Sequence, residues 1–510
     1  MTKTRWMGLV GASVLFVAGL VRADGPLDLG PKIREAILGL DLDDARKAVE
    51  GAAKVAPNSM ELDFERARLA IYDGDCDAAL TLLARPDLQR IEAAQSLTEI
   101  AAGCARTTAA TIVDKDEARG VEIRYQDDED RALTPVLVDT IVRARESLTR
   151  DLGVTWPKVT RFVVVRDLLA LAAMTGLPYE SAKTTGTVGV AKWGRVTLLS
   201  PRASRHGYAW RDTIAHELTH LAVTRATLDR APLWLQEGMA KREEVRWRAA
   251  GPFDDRPSPE AVALRGMDLK LDLPLDNLGP SIAMLPTADA AMVAFAEVTS
   301  FVRYLADTGA PGSLPKLFSE LRAGKSPDEA LVAATGGDLK KWDGEWRTWL
   351  KARPRETVPS AFGLGAAPPN LNEIRERSRL AELLLARKHP EAALAELSKL
   401  PANAIGDDPA LRALQAEVLL ANGKATDATK QVGEPKDVAA PYAPWWAIGG
   451  VLARGRGDEK AAEHAFVEAV AQDPFDVLAA CESRDSASAP TSPDNRILCE
   501  AARRYGALND

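Results

Sequence analysis

Histidine is scarce in this chain, with five residues among 510, so any two that stand at a defined spacing carry weight. Positive charge is also in deficit. Asp and Glu total 73 against 65 Lys and Arg, for a formal charge of −8, which argues against nucleic-acid binding by phosphate neutralisation. The apolar run from Gly8 to Leu20 is too short to make a good spanning helix. Cysteine is limited to four residues, none spaced with histidine as in a structural zinc site. The 46% hydrophobic content is that of an ordinary globular protein, and the length allows about three domains.

The short apolar run has a different use. Lys3 and Arg5 precede it and Val21-Arg22-Ala23 follows, the three-part layout of a secretory signal peptide over residues 1–23. No cysteine follows the run, so the lipoprotein form of the signal is not supported. The expected mature chain is exported, periplasmic or secreted, and without membrane contact after cleavage. Removing residues 1–23 takes away Lys3, Arg5 and Arg22 but no acid, moving the formal charge from −8 to −11. In an oxidising compartment the local pairs Cys76 with Cys104 and Cys481 with Cys499 suggest two disulfides, with small buried core residues as the alternative for Cys76 and Cys481.

The two informative histidines lie in Asp212-Thr213-Ile214-Ala215-His216-Glu217-Leu218-Thr219-His220. Positions four apart share one face of a helix, so both imidazoles can meet one cation while Glu217 projects beside them. Zinc accepts neutral imidazole nitrogen, and a catalytic site takes three protein ligands with a fourth position open. Glu237 is the best candidate for the third ligand. It lies in Ala231-Pro232-Leu233-Trp234-Leu235-Gln236-Glu237-Gly238-Met239-Ala240, where Pro232 suits the first turn of a new helix; Glu243 and Glu244 are nearby alternatives.

His216-Glu217-x-x-His220 followed by Trp-Leu-x-Glu-Gly-x-Ala resembles the gluzincin zinc metallopeptidases, especially the peptidase-MA-like domains of exported bacterial proteins. The resemblance implies His216, His220 and Glu237 as Zn2+ ligands, Glu217 as general base, and a protein or peptide as substrate. The chemistry suits those residue types. Bound zinc polarises a scissile carbonyl and acidifies water, and a carboxylate beside that water can take its proton and pass it to the leaving amine.

Flanking segments fit a small sheet. Arg161 to Arg166 and Arg195 to Leu199 read as strands, Gly186 to Ala191 as a glycine-interrupted edge strand, and Gly120 to Tyr125 as the first strand of the domain. In the resembled family the strand before the motif helix pairs with extended substrate through its main chain. Residues 291–307 form an apolar periodic helix, Ser326-Pro327-Asp328-Glu329 a capped helix start, and Trp342, Trp346 and Trp349 a stripe suited to core packing. The sequence departs from the family twice. Lys241 stands one turn after Glu237, where an aspartate commonly orients a ligand histidine, so that partner must come from elsewhere. Phe295 occupies the position of a tyrosine that some relatives use, leaving Tyr208, Tyr304 or His206 to supply an oxyanion donor.

Beyond this domain the chain turns repetitive. Trp446, Gly450, Gly457, Ala462, Phe466, Ala469 and Pro474 match the tetratricopeptide helix-turn-helix pattern, and Ala393, Ala428 and Ala462 recur in steps of 35 and 34. Ala67, Ala70, Gly74, Ala79 and Leu83 form a weaker copy near the N-terminus. The expected layout is a signal peptide at 1–23, an N-terminal helical repeat-like region at 24–112 and a gluzincin-like domain at 113–353. A Pro/Gly/Ala-rich linker at 354–372 and tetratricopeptide-like repeats at 373–510 complete it. The fold class is therefore an α+β catalytic domain, a small mixed sheet plus zincin helices, with all-α repeat regions on both sides. The expected function is an exported zinc metallopeptidase whose repeats could meet an envelope protein partner. The alternative is a catalytically weak or inactive periplasmic scaffold that binds partners through the repeats, and a small-molecule or cell-wall hydrolase is a weaker third reading.

Overall fold

The computed structural model describes residues 30–359, 362–364, 370–401, 404, 406, 408–483 and 495–507. The expected signal segment at 1–23, part of the expected linker and most of the loop between Ser483 and Asn495 lie outside these residues. Helices dominate, around one small mixed sheet. An α+β domain flanked by helical regions is what the chain forms.

The sheet has five strands: β1 (Ile112–Asp116), β2 (Val121–Tyr125), β3 (Thr160–Val165), β4 (Gly189–Lys192) and β5 (Arg195–Leu199), in the order β1-β2-β3-β5-β4. β1 pairs antiparallel with β2, β2 and β3 are parallel, β3 and β5 are parallel, and β4 closes antiparallel on β5. The expectation that Gly120 to Tyr125 opens the sheet is corrected here, because Ile112–Asp116 precedes it as the edge partner of a hairpin. That strand escapes notice because its sequence, Ile-Val-Asp-Lys-Asp, is mostly polar and only partly buried, so it shows little of the apolar alternation that marks a strand.

β3 is buried on both faces and reads accordingly as Phe-Val-Val-Val. Phe162 and Val164 face one core with Leu137, Ile141, Ile214 and Leu218, whereas Val163 and Val165 pack with Leu171, Cys76 and Cys104 on the other side. A disulfide joins Cys76 to Cys104 there, tying helix Cys76–Leu83 to helix Glu92–Thr108. The first core extends further. It takes in Ile33 and Tyr72 from the N-terminal helices and Phe475 and Leu498 from the far end of the chain.

Trp346, in helix Leu339–Lys351, is fully buried against Phe301, and Trp342 and Trp349 pack on Tyr304, so this aromatic stripe is core. The C-terminal region is a series of helical hairpins. Ala393, Ala428 and Ala462 are each fully buried in the second helix of successive hairpins, Pro390–Leu397, Ala425–Val432 and Glu459–Gln472. A side chain on Gly450 would meet the Phe466 ring at 2.7 Å, so the small residue lets that aromatic fill the space between two helices. A second disulfide, Cys481–Cys499, links the last two described helices.

Candidate metal centre

The His-Glu-x-x-His segment lies within helix Trp210–Thr227, the motif helix. Ile214, Ala215, Leu218, Leu221 and Ala222 are buried in the core, and Trp210 anchors the first turn. His216 and His220 fall on the face that lines a large cleft. The four-residue spacing brings their rings to a centroid distance of 4.9 Å and their Nε2 atoms to 3.2 Å.

Glu237 comes from the next helix, Leu233–Glu243, which Pro232 caps. Gly238 decides how closely this helix approaches its neighbour: a Cβ there would stand 2.4 Å from Val302 Cγ2 and 2.5 Å from the Val298 carbonyl oxygen, on helix Ala288–Thr308. With only hydrogen at that position the helices close up, and Glu237 Oε2 lies 3.7 Å from His216 Nε2 and 3.5 Å from His220 Nε2. The three candidate ligand atoms thus form a triangle with edges of 3.2, 3.5 and 3.7 Å. A tetrahedral zinc ion with bonds of roughly 2.0–2.1 Å separates its ligands by about 3.3–3.4 Å, so these residues fit such an ion without rearrangement. Among the described residues this is the one group of three or more His, Cys, Asp or Glu that could share a metal.

Each ring is oriented from behind. His216 Nδ1 lies 3.1 Å from Glu244 Oε2 and His220 Nδ1 lies 3.3 Å from Gln236 Oε1. If each Nδ1–H donates to its oxygen, each Nε2 turns an unprotonated lone pair toward Glu237. Lys241 holds Glu244 in place, with Nζ 2.6 Å from Oε1. The partner missing from the position of Lys241 is thereby supplied one turn later, by Glu244. Its signal was in the sequence, because seven residues after Glu237 is the same helix face. Glu243, the other alternative ligand, points away and is held by Arg242 and Arg246.

The electrostatics follow from three basic or acidic groups crowded out of water. Burial lowers the His216 pKa, but hydrogen bonding to Glu237 and Glu244 outweighs it and raises the ring to about 10. Burial would raise Glu237, yet the two histidines hold it well below the usual carboxylate range. The cluster therefore favours positive charge at its centre, where a dication would also satisfy the three lone pairs.

Glu217 is nearly buried beside the triangle, and burial raises its pKa against the opposing pull of His216 and His220. The backbone amide of Ala191, on β4, also favours its charged form. Gly189 makes the close approach of β4 feasible, since a Cβ there would lie 3.0 Å from Glu217 Oε1 and 2.8 Å from Thr213 Cγ2. β4 is the sheet edge, and Gly189 to Lys192 line the cleft of about 2440 Å³ into which His216, Glu217, His220 and Glu237 also open.

The three oxyanion donors considered from sequence are engaged elsewhere. The Tyr208 hydroxyl donates to the Leu199 carbonyl, Tyr304 packs on Trp342 and Trp349, and His206 stands edge-on to Tyr442. None of the three lines the cleft. Phe295 does, with its ring 6.5 Å from that of His216. An apolar ring cannot donate a hydrogen bond to an oxyanion.

Residues 182–352 match the family described as the Peptidase MA superfamily. The matched stretch contains the motif helix, the Glu237 helix and the aromatic helix Leu339–Lys351. The match supports a zincin-like peptidase domain over this part of the chain. None of the curated proteins matches the chain.

Proposed function

We propose that the protein is an exported zinc-dependent metallopeptidase of the gluzincin type, with His216, His220 and Glu237 as metal ligands and Glu217 as general base. The observation that carries the proposal is the triangle of His216 Nε2, His220 Nε2 and Glu237 Oε2, with edges of 3.2 to 3.7 Å, beside a buried carboxylate in an open cleft. His216, His220 and Glu237 would hold the zinc, which would supply Lewis acidity to polarise a peptide carbonyl and acidify water. Glu217, buried beside the triangle, would accept a proton from water there and pass it to the leaving amine. Glu244 and Gln236 would hold the two rings in the orientation that turns each Nε2 toward Glu237. β4 offers an extended substrate main-chain partners at a sheet edge, favouring recognition of an unfolded segment over one side chain.

Export rests on the layout of residues 1–23, and among the described residues no helix is long and apolar enough to cross a membrane. The period of Ala393, Ala428 and Ala462 supports a tetratricopeptide-like reading of the C-terminal hairpins, and such surfaces commonly bind other proteins, here an envelope partner. One observation favours the second reading, a catalytically weak or inactive scaffold working through those repeats. Phe295 faces the site where a donor would be useful, and losing one such donor commonly costs roughly two to three powers of ten in rate.

Zinc analysis of the purified protein, with casein cleavage by wild type and Glu217→Gln, separates the readings. The metallopeptidase requires about one zinc per chain in both proteins and cleavage that falls by roughly 10²–10⁴-fold in the variant. Bound zinc with no Glu217-dependent cleavage would assign the work to the helical hairpins instead.

A further inference from the structure

Helix Glu459–Gln472 belongs to the C-terminal hairpins, yet it reaches the metal cleft. One side of it is committed to its own hairpin, where Ala462, Phe466 and Ala469 are buried. The opposite stripe, His464, Val467, Glu468, Ala471 and Gln472, lines the same cleft as His216 and Glu237. Steps of three and four residues put these five on a single helical face.

The helix is seated firmly. The Tyr208 amide donates to the Gln472 carbonyl at 3.0 Å, just ahead of the motif helix. The hairpin that carries it is held as well: Phe253 stands edge-on to Trp445 and Trp446 of the preceding helix Ala443–Gly455, with centroid distances of 6.2 and 6.0 Å, and Arg256 donates to the Pro435 carbonyl at 2.7 Å. Glu468 interacts electrostatically with Arg248, whose guanidinium grips Asp212 at 2.7 Å. Asp212 precedes His216 by one turn, about 6 Å along the helix axis. The lining stripe and the three candidate ligands therefore open into one cleft.

Val467 stands out on that stripe, because 47% of this β-branched apolar residue is exposed although its helix packs into its hairpin and is hydrogen-bonded at its end to the segment before the motif helix. Across the cleft, β4 presents an unpaired strand edge. A segment pairing with that edge projects alternate side chains away from the sheet's hydrogen-bonding direction, toward the surrounding walls.

From this we infer that helix Glu459–Gln472 is a substrate-binding wall of the peptidase cleft, and that Val467 contacts an apolar side chain of an extended polypeptide substrate. The inference rests on the hydrolase reading of the same cleft. It gives the C-terminal hairpins a share in selecting substrate, beyond any role in holding partners.

Binding, measured without turnover, tests it. In zinc-loaded, full-length Glu217→Gln, fluorescence anisotropy would follow a labelled unstructured peptide with a central Leu-Phe pair in a Ser/Gly background, and its Ser-Ser counterpart. The Leu-Phe peptide binds more tightly, and adding Val467→Asp weakens it by about tenfold, the size expected for losing one apolar side-chain contact, while leaving the Ser-Ser peptide unchanged. Val55→Asp, which alters a more exposed apolar residue outside the cleft, changes neither. Equal affinities with and without Val467→Asp, or no binding of either peptide, would overturn the wall. A Val467 effect on binding, in a protein whose Glu217-dependent casein cleavage is absent, would instead overturn hydrolysis and leave the wall standing.

Discussion

His216 and Glu244 face each other across the gap between two helices, with Nδ1 3.1 Å from Oε2, and that contact aims the other ring nitrogen at Glu237. Lys241 closes the arrangement by holding the far oxygen of Glu244 at 2.6 Å. Carboxylates in this position raise the basicity of a ligand histidine and hold its orientation. Glu244→Ala is therefore expected to lower zinc affinity by about 10–100-fold, measured by competition with a chromogenic chelator. Unchanged affinity would reduce Glu244 to a charge partner of Lys241.

Gly238 sets the position of Glu237. In Gly238→Ala the new methyl meets the Val298 carbonyl oxygen at 2.5 Å, a backbone atom that cannot swing aside. The Glu237 helix must move outward, destabilising the fold by about 1–3 kcal/mol. Both the thermal midpoint and the zinc stoichiometry of the variant should fall, and a variant with a normal midpoint and full zinc would contradict the close-approach argument.

Glu297 makes stability depend on pH. Its side chain is buried on helix Ala288–Thr308, accepts only the Leu273 amide at 3.1 Å, and stands 3.9 Å from Arg347. Burial raises its pKa from 4.5 to about 7, overcoming the Leu273 hydrogen bond and the Arg347 charge. Because the folded value is the higher one, the folded state favours the protonated acid. The resulting stability is fully present below pH 4.5 and is lost as pH rises through about 7. Glu297→Gln should therefore stabilise the protein at pH 8 by up to roughly 3 kcal/mol and have little effect at pH 4. Urea unfolding at the two pH values checks this, and an equal effect at both would refute it.

The Cys76–Cys104 disulfide spans 28 residues and secures two helices on the face of the sheet opposite the motif helix. The double variant Cys76→Ala/Cys104→Ala should lose about 3 kcal/mol of stability, and wild type should lose a similar amount in reductant. Calorimetry with and without dithiothreitol decides it. A midpoint insensitive to reductant would mean that the bridge does not form.

Local pattern alone was enough for the pieces whose chemistry is periodic. Two histidines four apart must share a helix face, Phe-Val-Val-Val must be a buried strand, and Trp342, Trp346 and Trp349 must pack inward at helical spacing. β1 escaped because its burial is slight and its sequence polar, so the hairpin pairing that creates it left no hydrophobic signal. Spacing along a chain names residue types but not distances between segments. Which atoms of Glu237, Glu243 and Glu244 meet the histidines depended on how two helices are set against each other: Glu237 meets both Nε2 atoms, Glu244 meets Nδ1 of His216, and Glu243 is held by Arg242 and Arg246. The same limit applied to Tyr208, Tyr304 and His206, whose hydrogen bonds and ring contacts draw them away from the cleft. Contacts between segments far apart in sequence, such as the Tyr208 amide with the Gln472 carbonyl, arise only when the cores are assembled, and they brought a C-terminal helix to the wall of the cleft.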